Sequence, residues 1–515
     1  MPLLSGGSGA RVSVAWAESL FVNTPGDRWG NRPKDNRDAV EGKLFAGPAD
    51  EFVPDGSLGR RFEPLWWQCG RYVELRVTTA DSPLTLDGIE LRETRYPGDL
   101  EARFASDDAG LDDLFAPCAR TLQMCRHETF FDCPHYEQLQ YLSDSCLVGL
   151  ASAAMFANDK LFYKAIDIAN ASRQPTGFLR SRYPSREPQN IPTFTPPWVE
   201  SVHQYALWGG AGGRVRRRLL PGVRASVEAY ASHLNPDGLM AAPAGWNFFD
   251  WVPDAAWRFG VAPGGDTGVS PLLNWQFAYM LAMVEELETH LGEPEFAARA
   301  RRLRQGITGR LVSKYWNNSR GLFAEDERGT LFCEHSQALA LLGGAELGAE
   351  VRDRLVQNLL HGDGLTRGAP FFAHYVIEAC RTTGRGGEAL RGRLPLWFEM
   401  RAAGLVTTIE DTNIPATRSD RHAWTAHPAF HCLATLLGIR PAAFGFERVR
   451  VAPQPAGLKR ASGRCVHPRG SVDVALEVGQ DHVRADVTLP DGVHGEFVMH
   501  GKQAALRPGR QTIEF

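Results

Sequence analysis

The segment Leu272-Leu-Asn-Trp-Gln-Phe-Ala-Tyr-Met-Leu-Ala-Met-Val-Glu-Glu-Leu-Glu-Thr-His-Leu291 decides the fold class, because its apolar residues recur at spacings of three and four. This period is that of an α-helix with a broad apolar face. The same spacing predicts further helices over residues 111–125, 145–157, 295–315, 351–360, 373–380 and 420–437. No clear strand pattern and no repeat of fixed length accompanies them. The sequence therefore predicts an all-α central region closed as a toroid, in preference to a solenoid.

Strand-like alternation of polar and apolar residues marks both ends of the chain. Near the N-terminus it covers residues 71–79 and 84–92, and near the C-terminus residues 448–451, 471–478, 482–489 and 496–500. Alternation with a period of two is typical of strands with one buried face. The sequence therefore predicts a multidomain α and β protein with the order β, large α, small β.

The composition excludes several classes of protein. The 515 residues are 43% hydrophobic and 10% aromatic, which excludes a disordered chain. The net charge is −4 and the longest basic run is Arg216–Arg218, so we expect no nucleic-acid partner. No apolar run reaches the length of about 18 residues that a membrane helix needs, so we expect no membrane association.

The cysteines and the N-terminus give expectations about cellular context. The nine cysteines lack the spacing of zinc ligands, and we expect them to be reduced and structural. The first residues lack the charged and apolar regions of a signal peptide, so a cytoplasmic location is expected. Ser5–Ala10 resembles a loop inside a larger fold, which predicts that an upstream module is missing.

The densest polar cluster of the helical region is Asp132-Cys-Pro-His-Tyr-Glu-Gln-Leu-Gln-Tyr-Leu-Ser-Asp144. If a helix begins just after Pro134, Glu137 and Asp144 are seven residues apart and share one face. The alternative is a helix terminus in which Asp132 is the N-cap and Pro134 lies in the first turn. Both interpretations stay open.

A second acidic segment, Gly404–Asp411, contains Glu410 and precedes the histidine-rich segment Thr417–Pro428. Two separated carboxylate loops are what glycoside hydrolysis requires, because one acid protonates the leaving oxygen and a second carboxylate activates water. The alternatives are a solvated loop carboxylate for Glu410 and structural hydrogen bonding for His422 and His427.

Aromatic segments could supply a platform for a sugar. They are Gly245–Val252, which contains Trp246, Asp250 and Trp251, together with Pro196-Pro-Trp198 and Trp397. Indole rings stack on the C–H faces of sugars, and the Asp250 carboxylate could bind hydroxyl groups. The alternative for each tryptophan is burial in the core.

The Asp132–Asp144 segment closely resembles the acid motif of bacterial α-L-rhamnosidases of glycoside hydrolase family 78. The resemblance extends over nearly the whole chain and continues into the predicted β-regions at both ends. The further segments that carry it are residues 16–18, 36–38, 62–67, 71–75, 181–185, 246–251, 404–410, 418–424 and 438–441 onward.

The resemblance implies a fold and an activity. The fold is an (α/α)6 toroid over residues 105–440, between an N-terminal β-sandwich over residues 1–104 and a C-terminal antiparallel β-sandwich domain over residues 441–515. The activity is inverting hydrolysis of glycosides with release of terminal α-L-rhamnose, or a related deoxy-sugar, without a metal or cofactor. The alternatives are another (α/α)6 carbohydrate-active enzyme, such as a different glycosidase or a polysaccharide lyase, or a non-catalytic carbohydrate-binding relative.

The resemblance also implies roles for individual residues. Glu137 would be the general acid and Glu410 the general base, with Asp411 as a competing base because its loop is longer than the family's spacing. Departures from the family pattern leave the identity of the sugar open; they lie at residues 143, 145, 146, 374 and 421. The residues expected to bind the sugar are Asp132, Asp144, Trp246, Asp250, Trp251 and His427, followed by Trp198, Trp424 and His335.

Overall fold

The computed structural model describes residues 1–27, 30–157, 160–210, 212–480 and 482–515. Strands dominate both ends of the chain and helices dominate its middle, so the mixed α and β class is confirmed. Among the described residues, no helix combines the length and the apolar character that a membrane span requires. All nine cysteines are free thiols.

The N-terminal strands are β1 Pro2–Gly6, β2 Arg11–Ala17, β3 Ala49–Phe52, β4 Arg60–Arg61, β5 Tyr72–Thr78 and β6 Leu84–Ile89. They form two antiparallel three-stranded sheets, with the orders β4-β1-β6 and β3-β2-β5. The strands predicted at residues 71–79 and 84–92 are confirmed as β5 and β6. One more strand, β7 Arg103–Ser106, precedes the first helix.

The central region contains fourteen α-helices within the described residues. Six of the seven predicted helices are confirmed, and only the one predicted over residues 420–437 differs in kind. The bounds are α1 Ala109–Met124, α2 Leu142–Met155, α3 Lys160–Ala171, α4 Thr195–Leu207, α5 Gly212–Arg214, α6 Leu220–Ala231, α7 Pro271–Leu291, α8 Pro294–Tyr315, α9 Glu334–Leu342, α10 Ala349–His361, α11 Ala373–Arg381, α12 Gly386–Arg393, α13 Pro395–Ala402 and α14 Pro428–His431.

Helix α7, the segment that indicated the fold class, is buried on most of its surface. It begins where the Ser270 side chain accepts a hydrogen bond from the backbone N–H of Leu273, with Pro271 in the first turn. It packs against α4, α8 and α9. Because α7 has neighbours on several sides, its apolar residues cover more than one face of the helix.

Two predicted helical features are wrong. Residues 134–137 form a turn and the helix begins only at Leu142, so Glu137 and Asp144 do not share a helix face. Residues 420–437 form a loop, a 3₁₀ turn, the short α14 and a π-helical turn. The physical reason for the second break is Pro428, which has no N–H to continue a preceding helix and therefore starts a new one.

A short hairpin, β8 Trp316–Asn317 and β9 Leu322–Phe323, lies inside the helical region, which the sequence indicated to be without strands. Each of its strands has only two residues, too few for an alternating pattern to be visible.

The C-terminal strands are β10 Ile439–Pro441, β11 Arg448–Val451, β12 Arg460–His467, β13 Gly470–Val478, β14 Val483–Leu489, β15 His494–Met499, β16 Lys502–Leu506 and β17 Gly509–Glu514. Together with β7 they form two sheets, with the orders β10-β11-β15-β16 and β17-β14-β13-β12-β7. The prediction of a wholly antiparallel C-terminal domain is wrong, because β11 and β15 pair in parallel. The edge strand β7 comes from the other end of the chain and contains the predicted boundary between residues 104 and 105.

Candidate active site

Two carboxylates from distant parts of the sequence face the same guanidinium group. Arg418 Nη2 forms a short ion pair with Glu137 Oε1 and lies 3.5 Å from Glu410 Oε1. All three side chains are largely buried, with 21% of Glu137, 11% of Glu410 and 24% of Arg418 exposed. The fold therefore brings together both acidic segments that the sequence singled out.

Glu137 is held in place by side chains on both of its oxygens. The Tyr141 hydroxyl donates to Glu137 Oε2 at 2.7 Å, and Arg182 donates to the Tyr141 oxygen at 2.7 Å. Burial acts to raise the pKa of Glu137, but the charge of Arg418 and the hydrogen bonds of Tyr141 and Arg418 outweigh it, so the pKa is lowered. Glu137 is therefore a carboxylate in this arrangement.

Glu410 lies in a loop that runs beside the Arg418–His422 segment. The backbone N–H of Glu410 donates to Ser419 O at 3.2 Å, and the Trp424 indole donates to Glu410 O at 2.9 Å. Burial raises the pKa of Glu410, and the nearby His422 and Arg418 only partly offset that effect. Trp424 is buried and packs against Phe371 and His422, so it supports the Glu410 loop.

A second polar group lies next to Glu137. Asp132 Oδ1 accepts a hydrogen bond from the backbone N–H of Leu139 at 3.0 Å, and Asp144 Oδ1 accepts one from His422 Nε2 at 2.9 Å. Burial, with a further contribution from the charge of Glu137, raises the pKa of Asp132 to about 8. Asp132 and Asp144 are both buried, and the charge of Glu137 acts on Asp132.

His422 is an imidazolium ion buried in this acidic group. Burial acts to lower its pKa, but the hydrogen bond to Asp144 and the charges of Glu410, Asp144 and Asp132 raise it to about 9. Since the ordinary pKa of histidine is about 6.5, the charged form stabilises the fold. That stabilisation is complete below pH ~6.5 and is lost as the pH rises through about 9.

We expect His422→Asn to lower the free energy of unfolding by about 3 kcal/mol more at pH 6 than at pH 10. This figure is the upward shift of the His422 pKa converted to energy. The measurement is urea unfolding of both proteins across this pH range. The matched control is His290→Asn, at an exposed histidine in α7. A constant difference for His422→Asn would contradict the ion pair with Asp144.

Residues of the N-terminal region anchor the segment that carries Arg418. Lys34 Nζ donates to Arg418 O at 2.9 Å and to Asp420 Oδ1 at 3.1 Å, and Arg37 Nη2 bonds the same Asp420 oxygen at 3.0 Å. Burial acts to raise the pKa of Asp420, but Lys34 and Arg37 lower it to about 2. Glu18 also accepts a hydrogen bond from the backbone N–H of Asp420 at 2.9 Å. The N-terminal region therefore shapes the site directly.

Some of the predicted sugar-binding residues lie in one aromatic loop beside the acid. Trp246 and Trp251 are half-buried, with ring centroids 6.3 Å apart, and both pack on Phe248. Phe248 contacts Phe194, which in turn contacts Tyr141. This chain of rings connects the tryptophan loop to the hydroxyl that holds Glu137.

Asp250 belongs to the same loop, and its side chain is fully buried together with that of His335. Its Oδ2 accepts hydrogen bonds from His335 Nε2 and from the backbone N–H of Ala369, each at 2.8 Å. Its Oδ1 has no partner among the described residues. His335 thus orients Asp250, whose other carboxylate oxygen is buried without a partner among the described residues.

Two predicted aromatic contacts lie in the core. Trp198 is inside α4, 1% exposed, and its indole donates to Ile166 O at 3.0 Å. Trp397 is buried and donates to Thr425 O at 3.0 Å. Neither indole has a ring face open to a sugar, so the prediction of a platform at these positions is wrong. The reason for Trp198 is that the preceding prolines, which suggested a loop, occupy the first helical turn.

His427 is also buried. Its Nε2 bonds Pro370 O at 2.8 Å, and its Nδ1 has no partner among the described residues. Burial lowers its pKa to about 3, so the ring is neutral. Its neighbours His374 and His431 bond each other at 3.1 Å, and the three rings offer ligand atoms within 4.8 Å of one another. Neutral imidazoles of this kind are the residues that could hold a metal ion.

The sequence pattern indicates no role for Arg418, Arg182 or Tyr141. Each lies inside a segment that was singled out, but nothing in the spacing shows that their side chains meet at Glu137. A cationic residue shortly after the candidate base was the available signal for Arg418.

Comparisons with known proteins agree on the family. The bacterial α-L-rhamnosidase six-hairpin glycosidase domain matches residues 100–436, and the bacterial α-L-rhamnosidase C-terminal domain matches residues 438–514. No curated protein sequence matches the chain.

Solved structures share the fold at low sequence identity. A family 78 rhamnosidase of Bacillus sp. GL1 has a TM-score of 0.83 and 22% identity, over 97% of this chain and 51% of its own. A Streptomyces avermitilis α-L-rhamnosidase complexed with L-rhamnose has a TM-score of 0.74 and 16% identity, over 100% and 51%. A Klebsiella oxytoca rhamnosidase with rhamnose bound has a TM-score of 0.68 and 18% identity, over 84% of each chain.

The chain thus spans about half the length of the Bacillus enzyme. The two family matches cover most of the chain, and the first alone covers well over half of it, including both carboxylates and the arginine between them. The chain belongs to the bacterial α-L-rhamnosidase family of six-hairpin glycosidases.

Proposed function

We propose that the protein is an inverting glycoside hydrolase that releases terminal α-L-rhamnose, or a closely related deoxy-sugar, from a glycoside. One observation carries this proposal: Glu137 and Glu410, on separate loops of a six-hairpin glycosidase domain, face each other across Arg418. The proposal includes the (α/α)6 toroid over residues 105–440 and a β-sandwich over residues 1–104. The six-hairpin match and the two N-terminal sheets support these assignments.

In the proposed mechanism Glu137 donates a proton to the glycosidic oxygen as that bond breaks. Glu410 removes a proton from a water molecule, which attacks the anomeric carbon from the opposite face. Asp132 and Asp144 bind hydroxyl groups of the sugar, and the free Oδ1 of Asp250 binds a further one. Trp246 and Trp251 provide apolar surface for the sugar, including the methyl group of rhamnose.

Arg418 must leave its position for this mechanism to operate. One nitrogen reaches an oxygen of each carboxylate, which places these two oxygens closer together than the roughly 6.5–9.5 Å typical of inverting enzymes. A sugar that enters between them displaces the guanidinium from Glu137. The loss of that charge raises the pKa of Glu137 toward that of a proton donor, because burial already acts in the same direction.

The test is a panel of 4-nitrophenyl glycosides of several sugars, with the product of the best substrate followed by proton NMR. We expect the α-L-rhamnoside to be hydrolysed fastest and β-L-rhamnose to be the first anomer formed, because water attacks opposite the leaving group. Hydrolysis of a different sugar alone would contradict the substrate assignment. The α-anomer as first product would contradict inversion, and a protein that binds rhamnose without hydrolysis would be a non-catalytic relative.

A further inference from the structure

An exposed apolar strip of the N-terminal region lies directly beside the proposed acid. Trp66 is 51% exposed and Leu65 is fully exposed, although both side chains are large and apolar. The Trp66 indole donates to Gln138 Oε1 at 2.7 Å. Since Gln138 is the residue after Glu137, this hydrogen bond connects the exposed strip to the acid turn.

The exposed indole is anchored at its other edge as well. Its ring lies 5.9 Å from that of Trp67, which stacks on His127 at 3.9 Å with an angle of 6° between the planes. Gln138 itself is fixed by a hydrogen bond from its Nε2 to Pro134 O at 3.0 Å. A ring held in this way loses little conformational entropy when a ligand stacks on it.

A second exposed ring flanks the acid on the other side in sequence. Tyr136 is 37% exposed, and the Arg418 guanidinium lies 5.7 Å from its ring centroid. Arg418 also forms an ion pair with Glu137, so one guanidinium group contacts both the Tyr136 ring and the proposed acid. Residues on both sides of the proposed acid therefore connect to an exposed aromatic surface.

The chemistry of the reaction assigns a ligand to this surface. The acid contacts the oxygen that departs with the leaving group, so the atoms attached to that oxygen lie outside the sugar pocket and next to Glu137. We propose that Leu65, Trp66 and Tyr136 form a leaving-group subsite that binds a flat aromatic aglycone. This inference rests on the proposed function.

The strip favours an aromatic leaving group over a sugar. The one polar atom of the Trp66 side chain is already bonded to Gln138, and Leu65 has none. The C–H face of a second sugar could stack on the indole, but its hydroxyl groups would find no partner on Trp66 or Leu65, whereas a planar aromatic ring needs only the apolar face.

The experiment compares 4-methylumbelliferyl α-L-rhamnoside with methyl α-L-rhamnoside as substrates of the 515-residue chain, with release of L-rhamnose as the readout. We expect Trp66→Ala to raise KM about two- to twelvefold for the first substrate, the range that corresponds to the contribution of one aromatic pair. KM for the methyl glycoside stays unchanged. Trp66→Phe retains most of the affinity because it keeps a ring. Phe296→Ala, at a 38% exposed ring in α8, is the matched control.

Several outcomes would overturn the subsite. An equal rise in KM for both substrates would show that Trp66 acts through the position of Glu137. Gln138→Leu, which removes both side-chain hydrogen bonds of Gln138 but keeps the indole, would then reproduce that rise. A larger effect on a rhamnosyl disaccharide than on the aryl glycoside would assign a sugar to the strip instead. An unchanged KM in Trp66→Ala would exclude any contact.

The subsite and the proposed function fail in different ways. If the wild-type protein hydrolyses no rhamnoside, the proposed function is wrong, and equilibrium binding of free 4-methylumbelliferone still tests the strip. Weaker binding of this compound to Trp66→Ala than to Phe296→Ala supports the subsite. Equal binding to the two variants contradicts it.

Discussion

Replacement of Glu137 by Gln is expected to lower kcat for an alkyl or flavonol α-L-rhamnoside by about 10²- to 10⁴-fold, the usual contribution of general acid catalysis. The amide is nearly the same size as the carboxylic acid and accepts the hydrogen bond from Tyr141, but it cannot donate a proton to the leaving oxygen. The loss is much smaller for 2,4-dinitrophenyl α-L-rhamnoside, whose leaving group departs without a proton. Steady-state kinetics on both substrates measure the contrast.

The control is Glu128→Gln, at an exposed glutamate in the same part of the chain. It leaves the rates with both substrates unchanged. An equal loss with both leaving groups in Glu137→Gln would contradict the role of proton donor, because only the poor leaving group requires one. Binding of L-rhamnose to Glu137→Gln, measured by calorimetry, shows that the sugar pocket is intact.

Glu410→Gln and Asp411→Asn are expected to differ strongly in rate. Glu410→Gln lowers kcat by about 10³-fold for both good and poor leaving groups, because water activation is needed in either case. Asp411→Asn keeps kcat within the same order of magnitude as that of the wild-type protein. Asp411 Oδ1 already accepts a hydrogen bond from the backbone N–H of Asn413 at 2.8 Å, whereas Glu410 faces Arg418 and, across it, Glu137.

Steady-state kinetics of Glu410→Gln and Asp411→Asn measure this difference, and each variant is the matched control for the other. A severe loss in Asp411→Asn with a mild one in Glu410→Gln would exchange the roles of the two residues. The leaving-group series separates them from the acid, because a base variant is insensitive to the quality of the leaving group and an acid variant is not.

Much of the architecture could be predicted from the sequence because its signals are local. The helices over residues 272–291 and 295–315 are long, and their period is visible without any tertiary information. The family resemblance is confirmed because its acid motif is contiguous in sequence. The helices α4 and α9 were not predicted, since segments buried on nearly all sides do not show a polar face.

The interior of the site was less predictable, since it depends on contacts between distant residues. Glu137 and Arg418 are 281 positions apart, and a long flexible side chain gives no sign of which carboxylate it will reach. Trp246 and Trp198 look alike in sequence as aromatic residues near proline or glycine. Only the packing of α4 against α3 shows that Trp198 is buried and Trp246 is not.

The pairing of β7 with β12 constrains when the protein can fold during synthesis. Arg103–Ser106 is synthesised before every described helix of the central region, and its hydrogen-bonding partner, Arg460–His467, only after the last of them. The N–H and C=O groups along that edge of β7 therefore stay unpaired until the whole helical region has been translated. The nascent chain carries an open strand edge throughout that interval, which is the period when it most needs a chaperone to prevent aggregation.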